Sequence, residues 1–127
     1  MKYFTIKELS TTSTGLPNEP TEEAVVNLTN LVDKILDPLR ELYGKPIYVN
    51  SGYRSPEVNI KVAGAKNSQH LKGEAADISV RSKEGNKKLF QMIANGFEFD
   101  QLIDEKDYSW IHVSLKRTNR KQILHLK

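Results

Sequence analysis

The chain has 127 residues, 38% of them hydrophobic and 28% charged, with a formal net charge of +3. That is the balance of a globular protein long enough to bury a core, and nothing in it reads as a linker, so a single domain over residues 1–127 is expected. With no cysteine, disulfides and thiolate metal sites are excluded, and any metal must be held by nitrogen and oxygen donors.

No apolar run is long enough for a signal peptide or a membrane span. Synthesis in the cytoplasm without a signal peptide and no membrane insertion are therefore the expectation. Residues 3–20 set short apolar anchors (Phe4, Ile6, Leu9) in a Ser/Thr/Gly/Pro/Asn stretch, which predicts an extended arm packed on the domain. Thr21 caps a helix with Glu22 and Glu23 in its first turn. Val25, Leu28, Leu31, Val32, Ile35, Leu36, Leu39 and Leu42 recur at helical spacing up to Gly44, with a kink expected near Lys34–Pro38.

Pro46–Asn50 reads as a buried strand and Ser51–Arg54 as the turn that leaves it. Ser55-Pro56 starts a short helix to about Val62, ended by Gly64. A polar loop leads to a strand over Glu74–Val80. Ser82 then caps a helix that Gly96 stops near Asn95. Phe97–Glu105 and Trp110–Leu115 form a hairpin, and Gln122–Leu126 can add an edge strand. The fold class is α+β, an antiparallel-rich sheet with helices packed on one face and the candidate site on the other. The basic surplus in Lys116–Lys121 reads as a solvated tail, with affinity for an anionic polymer as the second reading.

Strand alternation selects the candidate chemistry. Ala76, Ile78 and Val80 form the apolar face of one strand, and Ile111, Val113 and Leu115 that of another. Asp77 and His112 then both point to the open side of the sheet. If Leu102 lies opposite Val113, Glu105 faces Trp110 and Ile103 faces His112. Glu105 becomes a diagonal neighbour of His112, about 7 Å away.

His70, at the end of the polar loop, completes a set of two histidines and one carboxylate, which leaves a fourth position open on a tetrahedral zinc. Zinc lowers the pKa of bound water to about 7, and a nearby carboxylate such as Glu105 can serve as general base. Asp104 and Asp107 are its reserves. Arg54 can fork a substrate carboxylate, and Ser68 can hydrogen-bond substrate. Trp110 reads either as a substrate contact or as packing, and His125 as a surface histidine.

Three blocks carry a resemblance: Ser51-Gly52-Tyr53-Arg54-Ser55-Pro56 with Asn59, Ser68-Gln69-His70-Leu71-Lys72-Gly73-Glu74-Ala75-Ala76-Asp77-Ile78, and Trp110-Ile111-His112-Val113-Ser114. In order and spacing they resemble the zinc D-Ala-D-Ala carboxypeptidase family, which shares its fold with hedgehog signalling domains. The stretch from Phe4 to Gly44 is similar to the small single-domain phage and bacterial members.

The resemblance implies that His70, Asp77 and His112 bind zinc, that Arg54 orients substrate and polarises the scissile carbonyl, and that Ser68 is the block's serine. Many members place the catalytic acid three residues before the last histidine, where this chain has Ser109. The single-domain members have a glutamate at the end of the preceding strand, which is Glu105 here. The expected function is a zinc metallopeptidase acting on peptidoglycan stem peptides next to D-amino acids, as a carboxypeptidase or an endolysin-type endopeptidase. A monomer with no nucleic-acid partner is expected. The alternatives are a non-catalytic zinc-stabilised hedgehog-like binding module and a metal-free structural domain.

Overall fold

The computed structural model describes all 127 residues. Its order is a 3-10 turn Glu8–Ser10, α1 Glu22–Leu31, α2 Asp37–Tyr43, β1 Tyr48–Ser51, α3 Pro56–Lys61, a 3-10 turn Gln69–Lys72, β2 Ala75–Ser79, α4 Lys83–Gly96, β3 Gln101–Glu105, β4 Trp110–Ser114 and β5 Gln122–Leu126. The strands form one sheet in the order β1-β2-β4-β3-β5. Every pair is antiparallel except β3 and β5. The result is an α+β domain architecture. The edge strand expected at Gln122–Leu126 is present, and it runs parallel to β3.

Between α1 and α2, where the kink is expected, Val32–Leu36 form a π-helical turn. Pro38 has no N–H to give to the preceding turn, and the N–H of Asp37 reaches back five residues to the Val32 carbonyl. The wider turn lets Val32, Ile35, Leu36 and Leu39 all reach zero exposure. Beyond it, Tyr43 packs against the core and Leu42 is 69% exposed, so Leu42 is not the core residue its spacing predicts.

The sheet's inner face joins these helices in one apolar cluster through Ala76, Ile78, Leu102, Ile111 and Val113. The other side differs from expectation. All five residues of β2 are buried, so the side carrying Asp77 is not open. The 3-10 turn Gln69–Lys72 packs on β2. The loop after β1 is tied to that turn, because the Arg54 N–H donates to the His70 carbonyl at 3.0 Å. β1 is itself a half-exposed edge strand rather than a buried one.

Two glycines are constrained by this cover. Gly73 ends the 3-10 turn at φ 74°, where a β-carbon would stand 2.5 Å from the Ala24 carbonyl oxygen. Gly64 follows Ala63, which itself takes the left-handed conformation at φ 57°. Gly64 is not the left-handed stop its position suggests. A β-carbon on it would overlap Asn59 Oδ1 and lie 2.9 Å from Arg54 Nη1. Gly96 likewise has no positive φ and lies inside α4, whose cap is Phe97 in extended conformation.

Candidate metal centre

The His–Asp–His set is brought together from three separate segments. His70 sits in the 3-10 turn, whose first N–H groups are satisfied by Ser68: its Oγ accepts from the His70 N–H at 3.1 Å. Asp77 is central in β2, and His112 lies directly across from it in β4. The ligand atoms of the three all fall within 4.8 Å of one another. They are 3%, 7% and 9% exposed, respectively.

The second nitrogen of His70 has a fixed task. Nδ1–H donates to the Gly52 carbonyl at 2.6 Å, which turns Nε2 toward Asp77 Oδ1 at 3.3 Å. His112 presents Nδ1 to the same oxygen at 3.0 Å. The other Asp77 oxygen accepts from Arg54 Nη2 at 3.3 Å. Burial opposes ionisation of Asp77, but hydrogen bonds from His112 and His70 outweigh it and hold the carboxyl well below the usual carboxylate range.

Arg54 is gripped on three sides. Besides Asp77, its Nε donates to Ser51 Oγ at 3.0 Å and its Nη1 to Asn59 Oδ1 at 3.3 Å. Ser51 pairs with Asp77 across β1 and β2, so the guanidinium is aimed by the strand that precedes its own turn.

The hairpin has the expected register: Leu102 opposite Val113, Ile103 opposite His112 and Glu105 opposite Trp110. Glu105 is half-buried at the end of β3. Burial raises its pKa first and the Asp77 charge raises it next, while His112, His70 and Arg54 act in the opposite sense. Glu105 therefore feels all four site residues.

The reserves stand elsewhere. Asp104 is buried on the opposite face of β3, where it pairs with His125 of β5. Asp107 is in the turn and pairs with Lys83 at 2.6 Å. Ser109 is exposed and its hydroxyl donates to the Lys106 carbonyl at 2.6 Å. Trp110 is half-buried next to Lys106, whose ammonium is 5.5 Å from the ring centroid.

Sequence reasoning missed several supports. Asn86 is buried in α4 and donates from Nδ2 to the Tyr108 carbonyl at 2.8 Å and the Ser109 carbonyl at 3.2 Å. It thereby closes a hairpin turn in which Lys106, Asp107 and Tyr108 all have positive φ. Gln69, beside His70, donates to Asp100 Oδ2 at 3.1 Å. Asp100 in turn takes Nε and Nη2 of Arg120 at 3.0 and 2.7 Å, so part of the basic tail is paired rather than solvated. A serine before a helical pattern signals a cap, but nothing in a lone asparagine signals which distant carbonyl it will meet.

No helix is long and apolar enough to cross a membrane. A family model described as Peptidase M15 matches residues 2–114. The chain is also 47% identical over 49 residues to the zinc D-Ala-D-Ala carboxypeptidase of Streptomyces albus G, a stretch that covers 38% of this chain and 19% of that protein. The family match takes in His70, Asp77 and His112 and both strands of the hairpin, and the chain belongs to the M15 peptidase family.

Proposed function

We propose that the protein is a zinc metallopeptidase that hydrolyses peptidoglycan stem-peptide bonds next to D-amino acids. The observation that carries this reading is the convergence of His70, Asp77 and His112, from three segments, with ligand atoms within 4.8 Å of one another. The donors suit zinc: two imidazole nitrogens and one carboxylate leave one position of a tetrahedron free. His70 Nε2 is already committed to face that centre, because its Nδ1–H is used by the Gly52 carbonyl.

When bound, zinc supplies a water acidic enough to act as nucleophile near neutral pH and a Lewis acid for the scissile carbonyl. The chain's own residues do the rest. Glu105 takes the water's proton and returns it to the leaving amine. Arg54 holds substrate through the N–H groups that Ser51, Asn59 and Asp77 leave free. Ser68 keeps the turn of His70 in place. Trp110, opposite Glu105, forms an aromatic wall for the substrate peptide. The relative from Streptomyces albus G is a D-Ala-D-Ala carboxypeptidase, which favours D-Ala-D-Ala ends as substrate. An endolysin-type endopeptidase uses the same residues on an internal bond.

The test is mass spectrometry of products from purified peptidoglycan, digested with and without a chelator. Chelator-sensitive release of D-alanine identifies a carboxypeptidase, and release of cross-bridge fragments an endopeptidase. Glu105→Gln should keep stoichiometric zinc and lose activity by about 10²- to 10⁴-fold. Wild-type protein that holds one zinc and cleaves no wall peptide is instead a zinc-stabilised binding module.

A further inference from the structure

We infer that Asn59 is the positioning residue for Arg54: it fixes where the guanidinium points and leaves the chemistry to Arg54. This inference rests on the proposed role of Arg54 in holding substrate.

An arginine side chain is long and rotamer-rich, so a guanidinium that recognises substrate must be held by its surroundings. Of its five N–H groups, three are used within the protein: Nε–H by Ser51, one hydrogen of Nη1 by Asn59 and one of Nη2 by Asp77. One hydrogen on each terminal nitrogen is left over by these three partners.

Asn59 alone among the three is neither a strand neighbour of Asp77 nor a member of the metal set. It sits in α3, 4% exposed, and its amide has one possible orientation. Nδ2 donates to the Ala65 carbonyl at 2.9 Å, so Oδ1 must face Arg54. A guanidinium has only donors to offer, and the opposite orientation would set N–H against N–H. The backbone encloses this amide: the Asn59 N–H donates to the Ser55 carbonyl, and the Gly64 N–H donates to the Asn59 carbonyl, both at 2.9 Å. Gly64 completes the fit, because any β-carbon there would strike Asn59 Oδ1 and Arg54 Nη1. The left-handed Ala63 brings the chain to that point. A short helix and a strained turn thus converge on the back of a single guanidinium.

The experiment is a double-mutant cycle on zinc-loaded protein, with D-Ala-D-Ala-terminated stem peptide as substrate, joined to a nitrogen-15 NMR measurement of Arg54 Nε. Asn59→Ala should lower kcat/KM roughly tenfold, as expected for loss of a hydrogen bond to a charged group. In an Arg54→Ala background it should cost nothing further, since it acts only through Arg54. Asn59→Asp keeps the acceptor oxygen toward Arg54 but sets its second oxygen against the Ala65 carbonyl, so it should recover part of the loss in kcat/KM while lowering stability. Gly64→Ala reaches the same contact without removing a polar group, and should reproduce the loss if Asn59→Ala folds poorly.

In parallel, the Arg54 Nε–H of Asn59→Ala should exchange faster and become mobile on the nanosecond scale. Equal losses in both backgrounds, or an unchanged Nε signal, overturn the inference. If wild-type protein cleaves no wall peptide but Asn59→Ala still frees Arg54 Nε, positioning stands and the proposed hydrolysis is what fails.

Discussion

Asp77→Asn preserves side-chain shape and removes the one charge on which the centre converges. One Asp77 oxygen meets His70 Nε2 at 3.3 Å and His112 Nδ1 at 3.0 Å, and the other meets Arg54 Nη2 at 3.3 Å. Because the carboxyl is held well below the usual carboxylate range, the full charge is present at pH 7. For unit charges at that separation, an effective dielectric of about 20 gives an attraction of about 5 kcal/mol. An amide is cheaper to bury than a carboxylate, which offsets part of this. The expected net cost for metal-free protein is about 3 kcal/mol, typical of breaking a buried pair by removing one partner. For a chain of this length that lowers Tm on the order of 10 °C.

The assay is urea unfolding in chelator, followed by fluorescence of Trp110, the chain's one tryptophan, and repeated with excess zinc. Wild-type protein should gain stability with zinc according to ligand linkage, and Asp77→Asn should gain almost none. A variant as stable as wild type in chelator would show that the Arg54–Asp77 pair contributes nothing net. A variant that keeps the wild-type zinc increment would remove Asp77 from the ligand set.

Three further outcomes are expected. Asp100 is held at about 2 by the Arg120 guanidinium, against an ordinary 3.8; as a depressed acid it adds stability above its unfolded pKa and loses it as pH falls through the folded one. Arg120 is 52% exposed, so solvent screens part of the pair, and Arg120→Ala should lower stability modestly at pH 7. That difference should shrink between about pH 4 and pH 2; thermal melts showing a pH-independent difference would refute the assignment. Gly73→Ala forces an L side chain to φ 74° against the Ala24 carbonyl, and should destabilise by about 1 to 3 kcal/mol and weaken zinc binding by shifting His70; unchanged calorimetric affinity would count against that coupling. In metal-free protein, carbon-13 NMR should find Glu105 titrating above the usual glutamate range, chiefly from burial and then from Asp77. Asp77→Asn should lower it, and an unmoved titration would mean that the two do not interact.

The readable parts of the chain were those governed by local rules. Ser55, Thr21 and Ser82 each accept from a first-turn N–H, as their capping positions suggest. Period-two alternation placed Asp77 and His112 on one face and Glu105 opposite Trp110. The failures came where several segments meet. Alternation describes a strand's two sides but not what lies over the second, so it carries no sign of the cover that Gly52, Arg54 and the His70 turn place over Asp77. Helical spacing assumes an uninterrupted phase, and the π-turn at Val32–Leu36 broke it before Leu42. A glycine after a helical pattern signals a stop, yet Gly64 is required for its missing β-carbon beside Arg54.

Strand phase also decides which acid can act as base in the proposed mechanism. Asp104 and Glu105 are adjacent in β3, so they face opposite sides of the sheet. Asp104 turns from His112 to meet His125 across the parallel β5 pairing. Asp107 is spent on Lys83 at the surface. Glu105 alone combines the His112 side of the hairpin with partial exposure, so it can sense the centre and still exchange its proton with water. Its electrostatic position is balanced in a useful way. Burial and Asp77 favour the proton, while His112, His70 and Arg54 favour the carboxylate. A dication among the three ligands adds to the second group and counters Asp77 directly, so occupancy of the centre would itself favour the basic form of Glu105. On the proposed mechanism, metal binding and readiness of the base would then be linked through one carboxylate. Substitution of Asp77 should disturb both, whereas substitution of Glu105 should disturb the base and leave the ligand set in place.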